Sequence, residues 1–350
     1  MPSSPSQPAP QLADAPSTTA TVHNITAVAE DLAVIEFSLD GDAQLTDYSP
    51  GCHVDITLPG ANGEMLTRQY SVFEMAGASS PAAGQQERPT YGVAVKREKN
   101  STGGSIAMLK LRRGDSFKIS QAFNNFELVA DAGYYVLVGA GVGITPMLSM
   151  AQSLERENKP YLVLFFARDS HHAVLLEQLR ETCGDKLIEV FGRPRDKQAD
   201  IYRHLLGQAP KETAFYVCGP QGFMDSAKEI ALDYLPEHAF HWENFHPDLK
   251  ALSGEKNAGA GDGPFEVEFC GETVEIPENK TVLEVLEDLD LPVKSRCLEG
   301  TCSTCLMRVV EGEPDHRDSV YDAQMYAEGA FAPCVSRALS PKLTLERWRQ

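Results

Sequence analysis

The sequence contains no apolar stretch near the roughly 20 residues that a helix needs to span a bilayer, so it predicts no membrane anchor. Basic residues are scarce, with 31 Lys and Arg against 50 Asp and Glu and a formal net charge of -19. Such a chain would repel nucleic acid phosphates but would suit a basic protein partner. No secretory signal peptide is recognisable, so the 8 cysteines are expected in a reducing cytoplasm rather than in disulfides.

The pattern of the sequence changes along its 350 residues, which are enough for two or three domains. Residues 1–18 are rich in Pro, Ser and Ala and predict a disordered tail. Short alternating segments separated by turns predict an antiparallel β-barrel over 19–128. Buried strands that alternate with helical segments predict a parallel α/β sheet over 129–246. The Gly-rich segment 247–264 predicts a linker, and a hairpin followed by a capped helix begins a last α+β domain, 265–350.

Four cysteines of the last domain have the spacing C-x4-C-x2-C followed by one distant cysteine, namely Cys297, Cys302, Cys305 and Cys334. This is the plant-type spacing of a [2Fe-2S] cluster. Gly300 lies inside the loop, where freedom in φ lets the backbone fold around an inorganic core. Four thiolates also suit a structural zinc ion, but zinc sites usually present paired C-x2-C knuckles and only one is present here. The spacing therefore favours a [2Fe-2S] cluster whose iron ions these four thiolates bind.

A second group of residues indicates a mononucleotide site in the barrel. Alternation places Arg68 and Tyr70 on one face of a strand, where a guanidinium can bind an anion and a phenol can address a ring plane. Gly103-Gly104-Ser105 opens a short helix whose free amides favour a phosphate, and Lys96 adds a second positive charge. Taken alone, these residues are equally compatible with an edge-strand arginine and a glycine loop that binds nothing.

A glycine-rich turn indicates a dinucleotide site in the α/β domain. Residues 139–146, Gly-Ala-Gly-Val-Gly-Ile-Thr-Pro, follow a buried strand, and Thr145 is predicted to cap a helix whose first residue is Pro146. Ile144 stands where the dinucleotide fingerprint has its third glycine. The turn still allows the backbone to approach a pyrophosphate.

Two strand ends of the same domain carry further candidate residues. Cys218 ends a strand at the ligand edge of the sheet, where its thiol either touches a planar ring or is simply buried. Asp169 ends the second strand, and a carboxylate there would bind a ribose diol and reject a 2'-phosphate, which favours NADH. Arg168 would favour NADPH if it faced the site. We expect NADH.

These features, in this order, resemble the phthalate dioxygenase reductase family across nearly the whole chain after the tail. The resemblance implies an FMN-binding barrel, an NAD domain of the ferredoxin-reductase type and a C-terminal plant-type ferredoxin with a β-grasp fold. The motifs that carry it are Arg68-x-Tyr70-Ser71, Gly103-Gly104-Ser105, 139–146, Cys218-Gly219-Pro220, Glu243-Asn244-Phe245 and the four cluster cysteines.

The resemblance also implies roles for individual residues. Ser71 would lie near flavin N5, Cys218 by the nicotinamide, and Phe245 would shield the flavin face, while Gly141 and Thr145 would meet NADH. The residues implied to hold FMN are Arg68, Tyr70, Ser71, Val93, Ala94, Val95, Lys96, Gly103, Gly104 and Ser105. His171 and His172 match no role in the family and are expected to be exposed loop residues.

The implied function is transfer of electrons from NADH, through FMN and the [2Fe-2S] cluster, to the Rieske centre of a partner oxygenase that acts on an aromatic or related small organic substrate. Two alternatives stay open: a cytochrome P450 or diiron monooxygenase as acceptor, and a redox sensor that is not an enzyme. Residues 265–350 carry 9 basic and 17 acidic side chains, a net charge of -8, which predicts salt-sensitive docking on a positive patch of the oxygenase.

Overall fold

The computed structural model describes residues 17–41, 43–63, 65–75, 89–98, 103–245, 261, 263–294, 300, 303–318, 320–321 and 323–348. The chain divides into two compact units, Pro16–Glu243 and Asn244–Gln350. The predicted tail lies outside the described residues except for its last two positions, and so does most of the predicted linker. Within the described ranges, no helix is long and apolar enough to cross a membrane.

The first part of Pro16–Glu243 is a closed antiparallel barrel, as predicted, with the strand order β1-β2-β5-β4-β3-β6. The side chains that alternate inward, such as Ile35, Ile56 and Val93, are fully buried in its core. One short helix, α1, follows β5. The elements are β1 (Thr18–Ala29), β2 (Leu32–Leu39), β3 (His53–Pro59), β4 (Met65–Glu74), β5 (Tyr91–Lys96), α1 (Gly104–Met108) and β6 (Ser116–Ile119).

The second part of the same unit is a five-stranded parallel sheet with the order β11-β10-β7-β8-β9, which confirms the predicted α/β fold. Its central strands are nearly continuous apolar runs because helices cover both faces of such sheets. The elements are β7 (Tyr134–Ala140), α2 (Thr145–Arg156), β8 (Tyr161–Ala167), α3 (Leu176–Cys183), β9 (Leu187–Phe191), α4 (Arg195–Leu206), β10 (Thr213–Cys218), α5 (Gln221–Ala231) and β11 (Phe240–Glu243).

The predicted cap of α2 is wrong. Ile144 is the N-cap and Thr145 is already helical, because a 3-10 turn over Gly141–Ile144 runs directly into the helix. The Thr145 hydroxyl donates a hydrogen bond to the Val142 carbonyl, 2.7 Å away, instead of accepting one from the helix. The Thr145 hydroxyl therefore stabilises the glycine-rich turn.

Helix α2 also joins the sheet to the barrel, since it packs on β4. Ser149 Oγ accepts a hydrogen bond of 2.9 Å from the Gly51 amide and donates one of 2.8 Å to the Pro146 carbonyl. Arg156 donates to the Glu74 carboxylate at 2.8 Å. Gly51 has φ +86°, and a Cβ there would lie 2.3 Å from the Phe126 carbonyl oxygen. The seam between barrel and sheet is therefore close-packed and partly polar.

The unit Asn244–Gln350 contains a mixed five-stranded sheet of order β13-β12-β18-β14-β16 and a two-stranded ribbon of β15 and β17. Its first helix has the capping box formed by Thr281 and Glu284. The elements are β12 (Phe265–Phe269), β13 (Glu272–Ile276), α6 (Val282–Asp288), β14 (Met307–Glu311), β15 (Pro314–Asp315), α7 (Ala323–Ala327), β16 (Ala330–Phe331), β17 (Arg337–Ala338) and β18 (Lys342–Arg347).

Candidate flavin, nucleotide and iron–sulfur sites

The structure brings the two halves of the predicted flavin site together. Arg68 on β4 lies directly against the start of α1, where a Cβ at Gly104 would be 2.4 Å from Arg68 Cγ and 2.9 Å from its Nε. Gly103 has φ +100°, in the region that favours glycine. Ser105 Oγ accepts a hydrogen bond of 3.2 Å from the Glu98 amide and so links the start of α1 to the residues that follow β5. The Arg68 guanidinium and the glycine-rich start of α1 therefore lie side by side, an arrangement that suits a bound phosphate.

Ser71, on the same strand, is buried and has an unused hydroxyl. Its exposed fraction is 7%, and its Oγ makes no hydrogen bond with the residues that the structure describes. A buried polar atom without a partner costs free energy, so a ligand atom that completes the bond is favoured. This geometry fits the predicted contact with a flavin ring nitrogen. Tyr70, next to it, packs its ring partly against the barrel core.

The segment predicted to line the flavin ring shows a mixed outcome. The side chains of Val93 and Val95 point into the barrel core. Ala94 is partly buried on the opposite side of β5, and Lys96 is exposed at the end of the strand. In this segment a bound ring could therefore contact Ala94 and the backbone, and the edge of the ring could contact Lys96. The two valine side chains could not contact the ring.

The glycine-rich turn and the end of β10 interlock. A Cβ at Gly143 would lie 2.3 Å from the Cys218 carbonyl oxygen, and one at Gly219 would lie 2.8 Å from the Ala140 Cβ. Gly141 has φ +57° and open space around it. The turn Gly141–Ile144 also contacts β5 of the barrel. The glycine-rich turn of the sheet and strand β5 of the barrel thus lie in contact within one unit, and a hydride donor and acceptor bound to them need such proximity.

Cys218 and Glu243 end neighbouring strands and are paired in register. The Glu243 Oε2 atom is buried and accepts no hydrogen bond within the described ranges. Burial raises the pKa of the Glu243 carboxyl to about 8. Burial, reinforced by this carboxyl, also raises the pKa of the Cys218 thiol well above its ordinary value. Both groups are therefore neutral at pH 7, which suits contact with an uncharged ring.

Glu243 is a site residue for which the sequence analysis assigned no role. It is the last residue of a short, half-buried strand, β11, and lies beside Cys218 only because β11 pairs in parallel with β10. The motif Glu243-Asn244-Phe245 was its only signal. Phe245 itself is half-buried and belongs to the unit Asn244–Gln350, so its place at a flavin face stays a prediction.

Replacing Glu243 by glutamine should remove a pH-dependent loss of stability. The folded-state pKa of about 8 exceeds the ordinary value of 4.5, so between these pH values the unfolded chain releases a proton that the folded chain keeps. Stability is therefore lost as the pH rises, by about 1 kcal/mol per pH unit. Calorimetry of the full chain from pH 5.5 to 8 should show a flatter fall for Glu243→Gln. The exposed Glu237 gives the control Glu237→Gln, and equal slopes in all three proteins would contradict the assignment.

Asp169 is held in place by a histidine that the sequence analysis left without a role. Asp169 Oδ1 accepts hydrogen bonds from the His172 amide at 3.0 Å and from the His172 Nδ1 atom at 2.8 Å. This side-chain contact lowers the pKa of the Asp169 carboxyl, so it stays an anion. His171 is exposed as predicted, whereas His172 is paired and half-buried. A three-residue spacing on a 3-10 turn explains the pairing.

Half of the predicted cluster site can be described. Cys305 and Cys334 are buried with their Sγ atoms 3.4 Å apart, too far for a disulfide. Two thiolates on one tetrahedral metal, each bound at about 2.3 Å, lie about 3.8 Å apart, so this separation fits a shared metal. Gly300 has φ +69°, and a Cβ there would lie 2.6 Å from Val335 Cγ2, which confirms the need for glycine. Cys297 and Cys302 lie outside the described residues.

Comparisons with known proteins agree with this three-part organisation. Three family models match in order: an oxidoreductase FAD-binding domain over 19–87, an oxidoreductase NAD-binding domain over 137–229 and a 2Fe-2S iron-sulfur cluster binding domain over 267–339. The vanillate O-demethylase oxidoreductase of Pseudomonas sp. (strain HR199 / DSM 7063) is 35% identical over 91% of this chain and 96% of its own. The phthalate dioxygenase reductase of Burkholderia cepacia is 32% identical over 91% and 94%. The chain belongs to the phthalate dioxygenase reductase family.

Solved structures extend the family assignment to the fold. The chain superposes on a phthalate dioxygenase reductase, described as a modular structure for electron transfer from pyridine nucleotides to [2Fe-2S], with a TM-score of 0.66, 29% identity and coverage of 94% and 98%. It also matches an intact type IV self-sufficient cytochrome P450 monooxygenase, with a TM-score of 0.73 and 28% identity, but spans only 41% of that chain. This member of the phthalate dioxygenase reductase family is therefore an oxidoreductase that links a pyridine nucleotide, a flavin and a [2Fe-2S] cluster.

Proposed function

We propose that the protein takes electrons from NADH and delivers them, through FMN in the barrel and the [2Fe-2S] cluster, to the Rieske centre of a partner oxygenase. The substrate of that oxygenase would be an aromatic or related small organic molecule. The supporting observation is that the three sites occur in one chain whose nearly full-length relatives are named as reductases of a demethylase and of a dioxygenase. We place the reaction in the cytoplasm, where thiol ligands stay reduced.

The barrel site supports FMN as the flavin. Arg68 and the helix start at Gly103 and Gly104 form a compact phosphate site next to the strand that carries Ser71. Lys96 at the end of β5 would add positive charge at the rim. A single terminal phosphate bound here would complete the anchoring of a mononucleotide.

The residues of the chain orient the reactants and exclude water. When bound, the flavin accepts a hydride from the nicotinamide and releases electrons one at a time, which the cluster accepts singly. The turn Gly141–Ile144 would bind the pyrophosphate, and the hydrogen bond from the Thr145 hydroxyl to the Val142 carbonyl would hold this turn in place. Cys218 and Glu243, both uncharged at pH 7, would pack on the nicotinamide side, and the Ser71 hydroxyl would bind the flavin ring. No side chain is required as an acid or base.

The choice of NADH over NADPH is supported by Asp169. Its carboxylate is anionic and held by His172, so it can accept hydrogen bonds from a ribose diol and repels a 2'-phosphate. A change that released Asp169 from His172 would weaken this discrimination rather than abolish binding.

A Rieske centre is a suitable acceptor on energetic grounds. Plant-type clusters have potentials near about -400 mV and Rieske centres lie from about -150 mV upward, so transfer between them is downhill. The charge of -8 on residues 265–350 supports docking on a basic surface. The second candidate acceptor is a cytochrome P450, which the match to a self-sufficient P450 monooxygenase specifically favours.

Anaerobic reduction of purified acceptors by the holoprotein tests the proposal. With NADH as donor, we expect rapid reduction of a Rieske oxygenase and slow reduction of a P450, with FMN recovered from the denatured protein. Raising ionic strength from about 10 to about 150 mM shortens the Debye length from about 30 to about 8 Å and should slow the Rieske reaction severalfold. Rapid reduction of the P450 alone would assign the second function. Failure to oxidise NADH with any artificial acceptor would indicate a sensor.

A further inference from the structure

A tyrosine hydroxyl is buried beside the two described cluster cysteines. Tyr321 is 4% exposed and belongs to the same packed group as Cys305, Cys334 and Leu283. Its hydroxyl makes no hydrogen bond with any residue in the described ranges. An interior phenol normally finds a partner, because a buried O–H that is left unpaired costs free energy.

Apolar residues leave few partners for this hydroxyl. The group around Tyr321 consists of Leu283, Ala330, Ala332 and Val335 together with the two cysteines. Ser303 and Asp318 lie near the phenol, but neither forms a hydrogen bond with its hydroxyl. Within the described residues, the phenol therefore shares its packed group with the two cysteine sulfurs while its hydroxyl has no hydrogen-bond partner.

A neighbouring tyrosine shows the contrasting arrangement. Tyr326 packs edge-on against Tyr321 with ring centroids 6.1 Å apart. Its hydroxyl donates a hydrogen bond of 2.9 Å to the Asp318 carboxylate. The two phenols therefore share one environment, but only that of Tyr326 is bound to a protein acceptor in the described part of the chain.

We propose that the Tyr321 hydroxyl donates a hydrogen bond to a sulfur of the [2Fe-2S] cluster bound by Cys305 and Cys334, and thereby raises the reduction potential of the cluster. Reduction adds one negative charge to the cluster, and a hydrogen-bond donor at sulfur stabilises the more negative state. The effect is strengthened in a buried site, where water does not screen it. A phenol, with an ordinary pKa of about 10, keeps its proton at neutral pH and can therefore act as a donor. The inference requires the cluster but not any particular acceptor protein.

An EPR-monitored redox titration of the full-length holoprotein tests this role. Tyr321→Phe keeps the ring and removes the donor, so we expect the cluster to become harder to reduce by a factor of about three to ten, which is about 30 to 60 mV at 59 mV per tenfold change for one electron. Tyr326→Phe is the matched control and should leave the potential unchanged. An unchanged potential in Tyr321→Phe, or an equal shift in both variants, would overturn the proposal.

A second measurement uses the wild-type protein and does not depend on a variant that folds. After exchange into deuterated buffer, pulsed EPR of the reduced cluster should detect an exchangeable deuteron coupled to its spin at hydrogen-bond distance. This coupling should be absent from Tyr321→Phe and present in Tyr326→Phe. Identical spectra for wild type and Tyr321→Phe would show that the hydroxyl does not reach the cluster. That result would leave the proposed Rieske acceptor untouched, since acceptor reduction is measured separately.

Discussion

Replacing Cys305 by serine should abolish electron delivery to a one-electron protein acceptor while leaving NADH-dependent reduction of the flavin in place. Cys305 is buried with its sulfur 3.4 Å from that of Cys334, so both thiolates can serve one metal. Loss of a ligand should lower the rate of electron delivery by at least about a hundredfold. Changes to residues that only support the metal ligands already lower metal affinity or activity by up to about a hundredfold. The predicted flavin and nucleotide residues other than Phe245 lie in the other unit and keep their contacts.

Two acceptors separate these steps. Cytochrome c reduction by the holoprotein should fall to background in Cys305→Ser, whereas ferricyanide, which takes electrons from a flavin directly, should be reduced at nearly the original rate. Cys270→Ser is the matched control, since Cys270 is an exposed cysteine of the same unit. Retention of the visible cluster spectrum and of cytochrome c activity in Cys305→Ser would refute the cluster assignment.

Replacing Gly143 by alanine should nearly eliminate hydride transfer from NADH. A Cβ at this position would lie 2.3 Å from the Cys218 carbonyl oxygen and 2.8 Å from the Gly219 amide nitrogen. Both contacts are with backbone, which cannot rotate away as a flexible side chain does. The turn must therefore move by about 1 Å. Displacements of that size in a reacting geometry lower the reaction rate by about a hundredfold.

Stopped-flow reduction of the flavin by NADH measures this effect directly. Photochemical reduction of the same variant should still transfer electrons from flavin to cluster, which distinguishes a displaced turn from an unfolded protein. Gly263→Ala serves as the control, because Gly263 has open space around it and its φ lies outside the left-handed region, so neither a clash nor backbone strain is added. Normal flavin reduction in Gly143→Ala would show that the interlock with β10 does not position the nucleotide.

The sequence predicted most of the fold because its signals are local. Cysteine spacing, the Gly103-Gly104 helix start and the Thr281 capping box each depend on residues close together in the chain. The cap at Thr145 failed because a preceding 3-10 turn supplied the helix start.

The parts of the site that the sequence analysis missed depend on register between distant strands or on side-chain direction. Glu243 meets Cys218 only through the pairing of β10 with β11. Val93 and Val95 are predicted to line a ring, but the alternation of β5 places both side chains in the core and Ala94 on the opposite face. The pair between His172 and Asp169 leaves no signal in the sequence, because a contact between two polar side chains three residues apart creates no pattern of apolar residues.

The close-packed seam at Gly51 and Ser149 has a consequence for protein engineering. A chain divided between barrel and sheet would leave the Gly51 amide and the Ser149 hydroxyl without each other as partners. The barrel and the parallel sheet should therefore be expressed and exchanged as one piece. The segment 247–264, which the sequence predicts as a linker, is where hybrid reductases with a foreign ferredoxin should be joined, because a join there keeps the Glu243-Asn244-Phe245 motif with the flavin and nucleotide domains.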